Sequence, residues 1–131
     1  MEDNSELIRK IIACARIVRR QLAAGYEEKI YKNAMFIEMK KHGILVETEV
    51  PFDVRYDNIV IGQYRADMIA DRRVIVELKA VSALIRYHSV QLVNYLTATG
   101  LDDGVLINFG SEKLEIIPRT RLYNPNTRLK P

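Results

Sequence analysis

Val74, Ile75 and Val76 form an unbroken apolar, β-branched run, and Glu77 and Lys79 then set an acid and a base into it. A run of this kind predicts a strand buried on both faces. A charge placed in such a strand is costly unless it is paired or neutralised. The chain must therefore fold so that something answers these two charges.

The stretch IVIGQYRADMIA, just upstream, reads as a second strand, joined to the first by the short turn Asp71-Arg72-Arg73. If those three residues form the loop, Ala70 faces Val74, and Asp67 faces Glu77 with side chains about 5 Å apart. Glu77 and Lys79, two residues apart, share a face. Opposed carboxylates repel, and burial sharpens the repulsion. A two-residue loop would send the acids to opposite faces. The three-residue register is preferred because it also gathers Ala66, Met68, Val76 and Leu78 on one wholly apolar face.

Two readings of the cluster follow. A divalent cation would resolve the repulsion: Mg2+ takes oxygen ligands, commonly one or two carboxylates, and keeps both acids ionised. Lys79 would then hold a water or steady charge on a phosphate. The alternative is a Glu77–Lys79 ion pair on a half-exposed strand, with Asp67 in solvent.

Around the hairpin the chain alternates cleanly between helical and extended patterns. A first helix is expected from Asn4 or Ser5, with Leu7, Ile8, Ile11, Ile12, Cys14, Ala15 and Val18 on its apolar face and Gly25 closing it. A second runs from about Glu27 to His42, with Lys40, Lys41 and His42 at its negative end and Gly43 after it. ILVETEVPFDVRY is extended, with Pro51 marking a bend or an edge, and Asp57-Asn58 reads as a turn. A helix from about Tyr87 to Thr99 ends at Gly100, and VLINFG and LEIIP form a final hairpin across Gly110-Ser111-Glu112-Lys113. The expected fold class is α/β, one mixed sheet flanked by helices in the order ααββββαββ.

The 131 residues suit one domain. No apolar run approaches the roughly 20 residues of a membrane span, and MEDNSELIRK lacks the apolar centre of a signal peptide, so a cytoplasmic location without a membrane partner is expected. The lone Cys14 excludes an internal disulfide, a cysteine-ligated zinc and an iron–sulfur cluster, and it reads as core packing. The net charge of +3 is carried by Arg119, Arg121, Arg128 and Lys130 near the C-terminus, which leaves the rest slightly acidic. Residues 1–118 are expected as the domain. Residues 119–131 are expected as a basic tail, a mobile end or a strap on a neighbouring subunit, with a phosphate-contacting arm as second choice. Small size and this tail together suggest a homodimer.

Two further segments carry polar residues at helical spacing. Gly25, Glu28 and Tyr31 recur every three residues at the start of the second helix, where Glu28 also suits the dipole. Gln91 and Tyr95 are four apart on the third helix, where His88 reads as one more polar residue.

Together these segments resemble the PD-(D/E)XK nuclease superfamily, and more closely the small proteins named for a GxxExxY motif. GYEEKIY carries the three fixed positions of that motif in Gly25, Glu28 and Tyr31; YRADMI followed by VIVELKA carries the Asp…Glu-x-Lys signature in Asp67, Glu77 and Lys79. QLVNY is similar to the Gln-x-x-x-Tyr element of RecB-like nucleases, and TATGLDDGVLINFG to the family's helix-to-strand passage, with no chemistry assigned to Asn108. The likeness runs from about Gly25 to Ile117. It implies a restriction-endonuclease-like core with Asp67 and Glu77 as main Mg2+ ligands, Mn2+ as a substitute, and the Leu78 carbonyl and Glu28 as further ligands. Lys79 would orient the attacking water or stabilise the transition state; Gln91 and Tyr95 would position the phosphate, the lysine or the scissile strand. The implied reaction is hydrolysis of DNA phosphodiester bonds, with RNA open as a substrate. A non-catalytic module of the same fold, binding nucleic acid or a protein partner, is the alternative.

Overall fold

The computed structural model describes residues 3–121. Eight elements follow in order: α1 (Ser5–Gln21), α2 (Glu28–Lys41), β1 (Val46–Tyr56), β2 (Ile59–Ala70), β3 (Val74–Lys79), α3 (Arg86–Thr99), β4 (Asp103–Asn108) and β5 (Glu115–Thr120). The five strands make one sheet in the order β1-β2-β3-β4-β5. Only β3 and β4 run parallel, and α3 connects them; the other neighbours are antiparallel.

Helices cover both faces of the sheet, which is why β3 can be apolar at every position from Val74 to Val76. On one face Leu7, Ile11 and Val18 of α1 and Met35 and Met39 of α2 pack with Met68, Val74, Val76, Leu78, Val105 and Ile107. On the other, Leu92, Tyr95 and Leu96 of α3 pack with Ile69, Ile75 and Leu106. Cys14 is fully buried in the first of these clusters.

The expected α/β class holds, with five strands where six were anticipated. β1 runs unbroken through Pro51, which pairs with Arg65. An edge strand such as β1 tolerates the missing amide proton. The first helix also stops short of Gly25: Leu22 is already extended (φ −125°, ψ 106°), and Gly25 lies in the following connection at φ +122°. Asn4 is the N-cap residue but its side chain donates instead to Asp103 Oδ2 at 2.7 Å; the Asp3 carboxylate accepts the Ser5 amide. At the other end β5 pairs with β4 as far as Thr120, and Arg121 donates its amide to the Asp102 carbonyl and its guanidinium to the Asp102 carboxylate. The sheet thus takes in Arg119 and Thr120 of the expected tail, Arg121 is tied to Asp102 just beyond it, and residues 122–131 lie outside the described residues.

One local feature of the β1–β2 ribbon positions the site. Val46 and Met68 pack under α1 and α2, whereas Val50, Phe52 and Ala66 pack under α3. Strict alternation would put all five on one face. The ribbon turns over between them, at Glu49, whose φ is +50°, opposite Asp67. Ala66 therefore does not join Met68, Val76 and Leu78 as the alternation predicts.

Candidate active site

The β2–β3 hairpin has the three-residue loop expected of it. Asp71 and Arg72 are left-handed (φ +49° and +57°), Arg73 donates its amide to the Ala70 carbonyl at 2.9 Å, and Ala70, Ile69 and Met68 pair with Val74, Ile75 and Val76. One step further Asp67 stands opposite Glu77, and there the ladder opens. The Asp67 amide donates to Glu77 Oε2 at 2.7 Å, and the Leu78 amide donates to Asp67 Oδ2 at 2.9 Å. Each carboxylate replaces a main-chain acceptor, so the two acids are built into the backbone of the hairpin. Glu77 is 5% exposed. Burial, and then the charge of Asp67, push its carboxyl up to about 8.

From the first residue of α2, Glu28 faces these acids; burial and then the Asp67 charge raise its carboxyl above the usual range. One turn later Lys32 places its ammonium 3.2 Å from Asp67 Oδ1 and 3.1 Å from Glu49 Oε1. Burial alone would lower the Lys32 ammonium, but its bonds to Glu49 and Asp67 prevail and raise it.

From α3 come Gln91 and Tyr95. Lys79 Nζ donates to Gln91 Oε1 at 3.3 Å, so it takes the amide as its hydrogen-bond partner in place of Glu77. Tyr95 is nearly buried against Phe52, with ring centroids 4.9 Å apart and edge to face. Burial, and then the charge of Glu77, push its phenol up to about 12. His88 caps the helix, its Nδ1 accepting the Ile85 amide at 3.0 Å. The structure thus brings Glu28, Asp67, Glu77, Leu78, Lys79, Gln91 and Tyr95 to one region, although Leu78 enters it through its amide.

Residues 5–120 match the PD-(D/E)XK nuclease superfamily. The chain belongs to that superfamily. The crystal structure of SSO0001 has a similar fold, with a TM-score of 0.57 and 19% identity over 76% of this chain and 52% of that one. This chain therefore spans about half the length of that protein. No functionally curated protein matches the sequence. Among the described residues no helix is long and apolar enough to cross a membrane.

In this PD-(D/E)XK chain the three fixed positions of GYEEKIY do different work. Gly25 takes the left-handed turn between α1 and α2. The Tyr31 hydroxyl donates to the Ala23 carbonyl and accepts the Tyr26 amide, and its ring stacks on Phe109 at 4.9 Å. Only Glu28 reaches the acids. Asn108 also has a definite place: fully buried, it accepts the Val81 and Gly110 amides and donates to the Val81 carbonyl and Glu115, tying down the chain that follows Lys79.

Sequence reasoning missed Lys32 and Glu49. Lys32 lies four residues after Glu28, on the same helical face, and that spacing is the signal that could have found it. A left-handed glutamate inside a strand has no such signature.

The donors suit a hard divalent cation in kind, being carboxylate oxygens. They also suit it in charge, since the Asp67 charge helps to raise the carboxyls of both Glu28 and Glu77. With Oδ2 and Oε2 engaged by amides, Asp67 Oδ1 and Glu77 Oε1 remain for a ligand, and the Lys32 ammonium adjoins the first. Among the described residues no three His, Cys, Asp or Glu side chains are already drawn into a cation cage.

Proposed function

We propose that this chain is a divalent-metal-dependent nuclease that hydrolyses DNA phosphodiester bonds, and that it is a GxxExxY-type member of its superfamily. The observation that carries the reading is the opposed pair Asp67 and Glu77, fixed by main-chain amides, with burial and then the Asp67 charge pushing the Glu77 carboxyl up to about 8. Asp67 and Glu77, with Glu28 directly or through water, would hold Mg2+ or Mn2+; the Leu78 carbonyl is a further candidate ligand. When bound, such a cation supplies Lewis-acid polarisation of the phosphoryl group and a lower pKa for the attacking water.

The chain's own residues do the rest. Lys79, oriented by Gln91 at 3.3 Å, brings a positive charge to the phosphate as negative charge develops on it. Tyr95, its pKa near 12, stays protonated and offers a hydrogen-bond donor, not a base. The test is incubation of plasmid, single-stranded and branched DNA with Mg2+ or Mn2+, wild type against Asp67→Ala. Cleavage that survives the substitution sinks the assignment.

A second reading, a non-catalytic module that binds nucleic acid or a protein partner, is favoured by one observation. Lys32 compensates Asp67 without any metal. Salt-dependent DNA binding with no cleavage under either metal would select it.

A further inference from the structure

An open groove of about 570 Å3 runs between α3 and the β1–β2 hairpin, and Gln91 and Tyr95 line both it and the candidate active site. We propose that this groove seats an unpaired nucleobase of the strand whose phosphate lies at Asp67 and Glu77. The inference rests on the nuclease reading and narrows its substrate to single-stranded or locally unpaired nucleic acid.

The lining argues for a base in preference to a phosphate or a peptide. Tyr64 and Tyr87 are 51% and 63% exposed and present aromatic surface to the groove. Tyr64 is already held by Phe52 and Tyr95, with centroids 6.3 and 5.5 Å away, so little freedom is lost when a ring stacks on it. Tyr87 stands one helical turn before Gln91. Asn94, exposed on the same helix, offers an amide donor and acceptor to a base edge. The charges in the lining cancel: Arg55 is directed to Asp53 and the Asn58 carbonyl, and Asp53 also takes Gln63. Ring faces and neutral amides with no spare charge fit a planar, uncharged, hydrogen-bonding ligand. The volume falls within the usual range for small-ligand sites. A base seated there cannot stay paired, so an intact duplex is excluded unless a nucleotide is extruded.

The test is binding of labelled oligonucleotides by fluorescence anisotropy in EDTA. The probes are a single strand of DNA, the same strand in RNA, a fully abasic deoxyribose-phosphate strand and a blunt duplex. The single strand, as DNA or RNA, should bind about tenfold more tightly than the abasic strand or the duplex. Tyr87→Ala should remove about tenfold of the single-strand affinity and leave the abasic strand unaffected, and Tyr87→Phe should restore it. Tyr87 is largely exposed, so its variants should melt with the wild type, and Tyr64→Leu gives an independent check from the opposite wall. Equal affinity for the base-bearing and abasic strands, or indifference to Tyr87→Ala, overturns the groove. Cleavage in Mg2+ or Mn2+ is scored separately. Cleavage without base-dependent binding overturns the groove and leaves the nuclease reading standing. Base-dependent binding without cleavage supports the groove and overturns the nuclease.

Discussion

Glu77 Oε2 sits 2.7 Å from the main-chain nitrogen of Asp67, so the acid that opposes Asp67 across the hairpin also anchors it. Repulsion and attachment act between the same two residues. The arrangement keeps both carboxylates in place whether or not a cation is near, and its cost appears as a raised proton affinity at Glu77.

That cost predicts a pH dependence. Glu77 moves from an ordinary 4.5 to about 8 on folding. Below the lower value it is protonated in both states and costs nothing. As pH rises toward the upper value the unfolded chain releases the proton while the folded chain holds it, so stability falls. Melting in EDTA should therefore decline from about pH 5 to about pH 8 for wild type, and Glu77→Gln should remove this component and gain several kcal/mol at the upper end. The glutamine can still accept the Asp67 amide, but it should lose the stabilisation by millimolar Mg2+. Identical pH slopes in the two proteins would show that Glu77 titrates normally.

Lys32 is the internal counter-ion of the site, with 18% of its side chain exposed. Removing it leaves Glu49 and Asp67 facing each other across the ribbon. Lys32→Met should cost about 1–2 kcal/mol without metal, the lower end of what a broken partly buried pair costs. The same variant should gain more from Mg2+ than wild type does, because the cation then meets uncompensated acids. Equal Mg2+-induced shifts in melting temperature would show that Lys32 and metal act independently.

How far the sequence discloses this fold depends on whether the deciding contact is local. The Asp71–Arg73 loop and the alternation around it set the register of Asp67 against Glu77, so the opposed pair is legible. The end of α1 is not: Leu22, Ala23 and Ala24 are good helix formers, and the Ala23 carbonyl is claimed instead by the Tyr31 hydroxyl from the next helix. Pro51 leaves a bend and an edge open as alternatives, and the strand order decides for the edge. The turnover of the ribbon at Glu49 is a backbone feature that no residue type there announces. It conceals both the Lys32 bridge and the separation of Ala66 from Met68.

The GYEEKIY segment should divide under mutation into structure and chemistry. Tyr31→Phe deletes a hydroxyl that joins the Ala23 carbonyl to the Tyr26 amide. It should cost about 1 kcal/mol in denaturant unfolding while the folded protein keeps its cleavage rate. Glu28→Gln should do the reverse. Its carboxyl is raised by burial and by Asp67, so neutralising it leaves melting equal or higher, while cleavage falls at least about tenfold. If Glu28→Gln destabilises and cleaves normally, the segment has only a structural role.

Asn108 should prove the most demanding position outside the acids. Its amide accepts from the Val81 and Gly110 amides and donates to the Val81 carbonyl and Glu115, and Glu115 in turn accepts the Leu84 amide. These bonds draw residues 81–84 onto the end of β4, where a Cβ on Gly110 would lie 2.4 Å from the backbone of Ala80 and Val81. The chain leaving Lys79 therefore has little choice of path, and α3 begins from its far end. Asn108→Ala strands buried main-chain groups and should cost about 3 kcal/mol. Because the same path connects Lys79 to Gln91, the variant that remains folded should also lose cleavage, in kcat more than in KM. Hydrogen exchange should show faster amide exchange at Val81 and Leu84 with β3 still protected. If those amides stay as protected as in wild type, the loop is held by something other than Asn108.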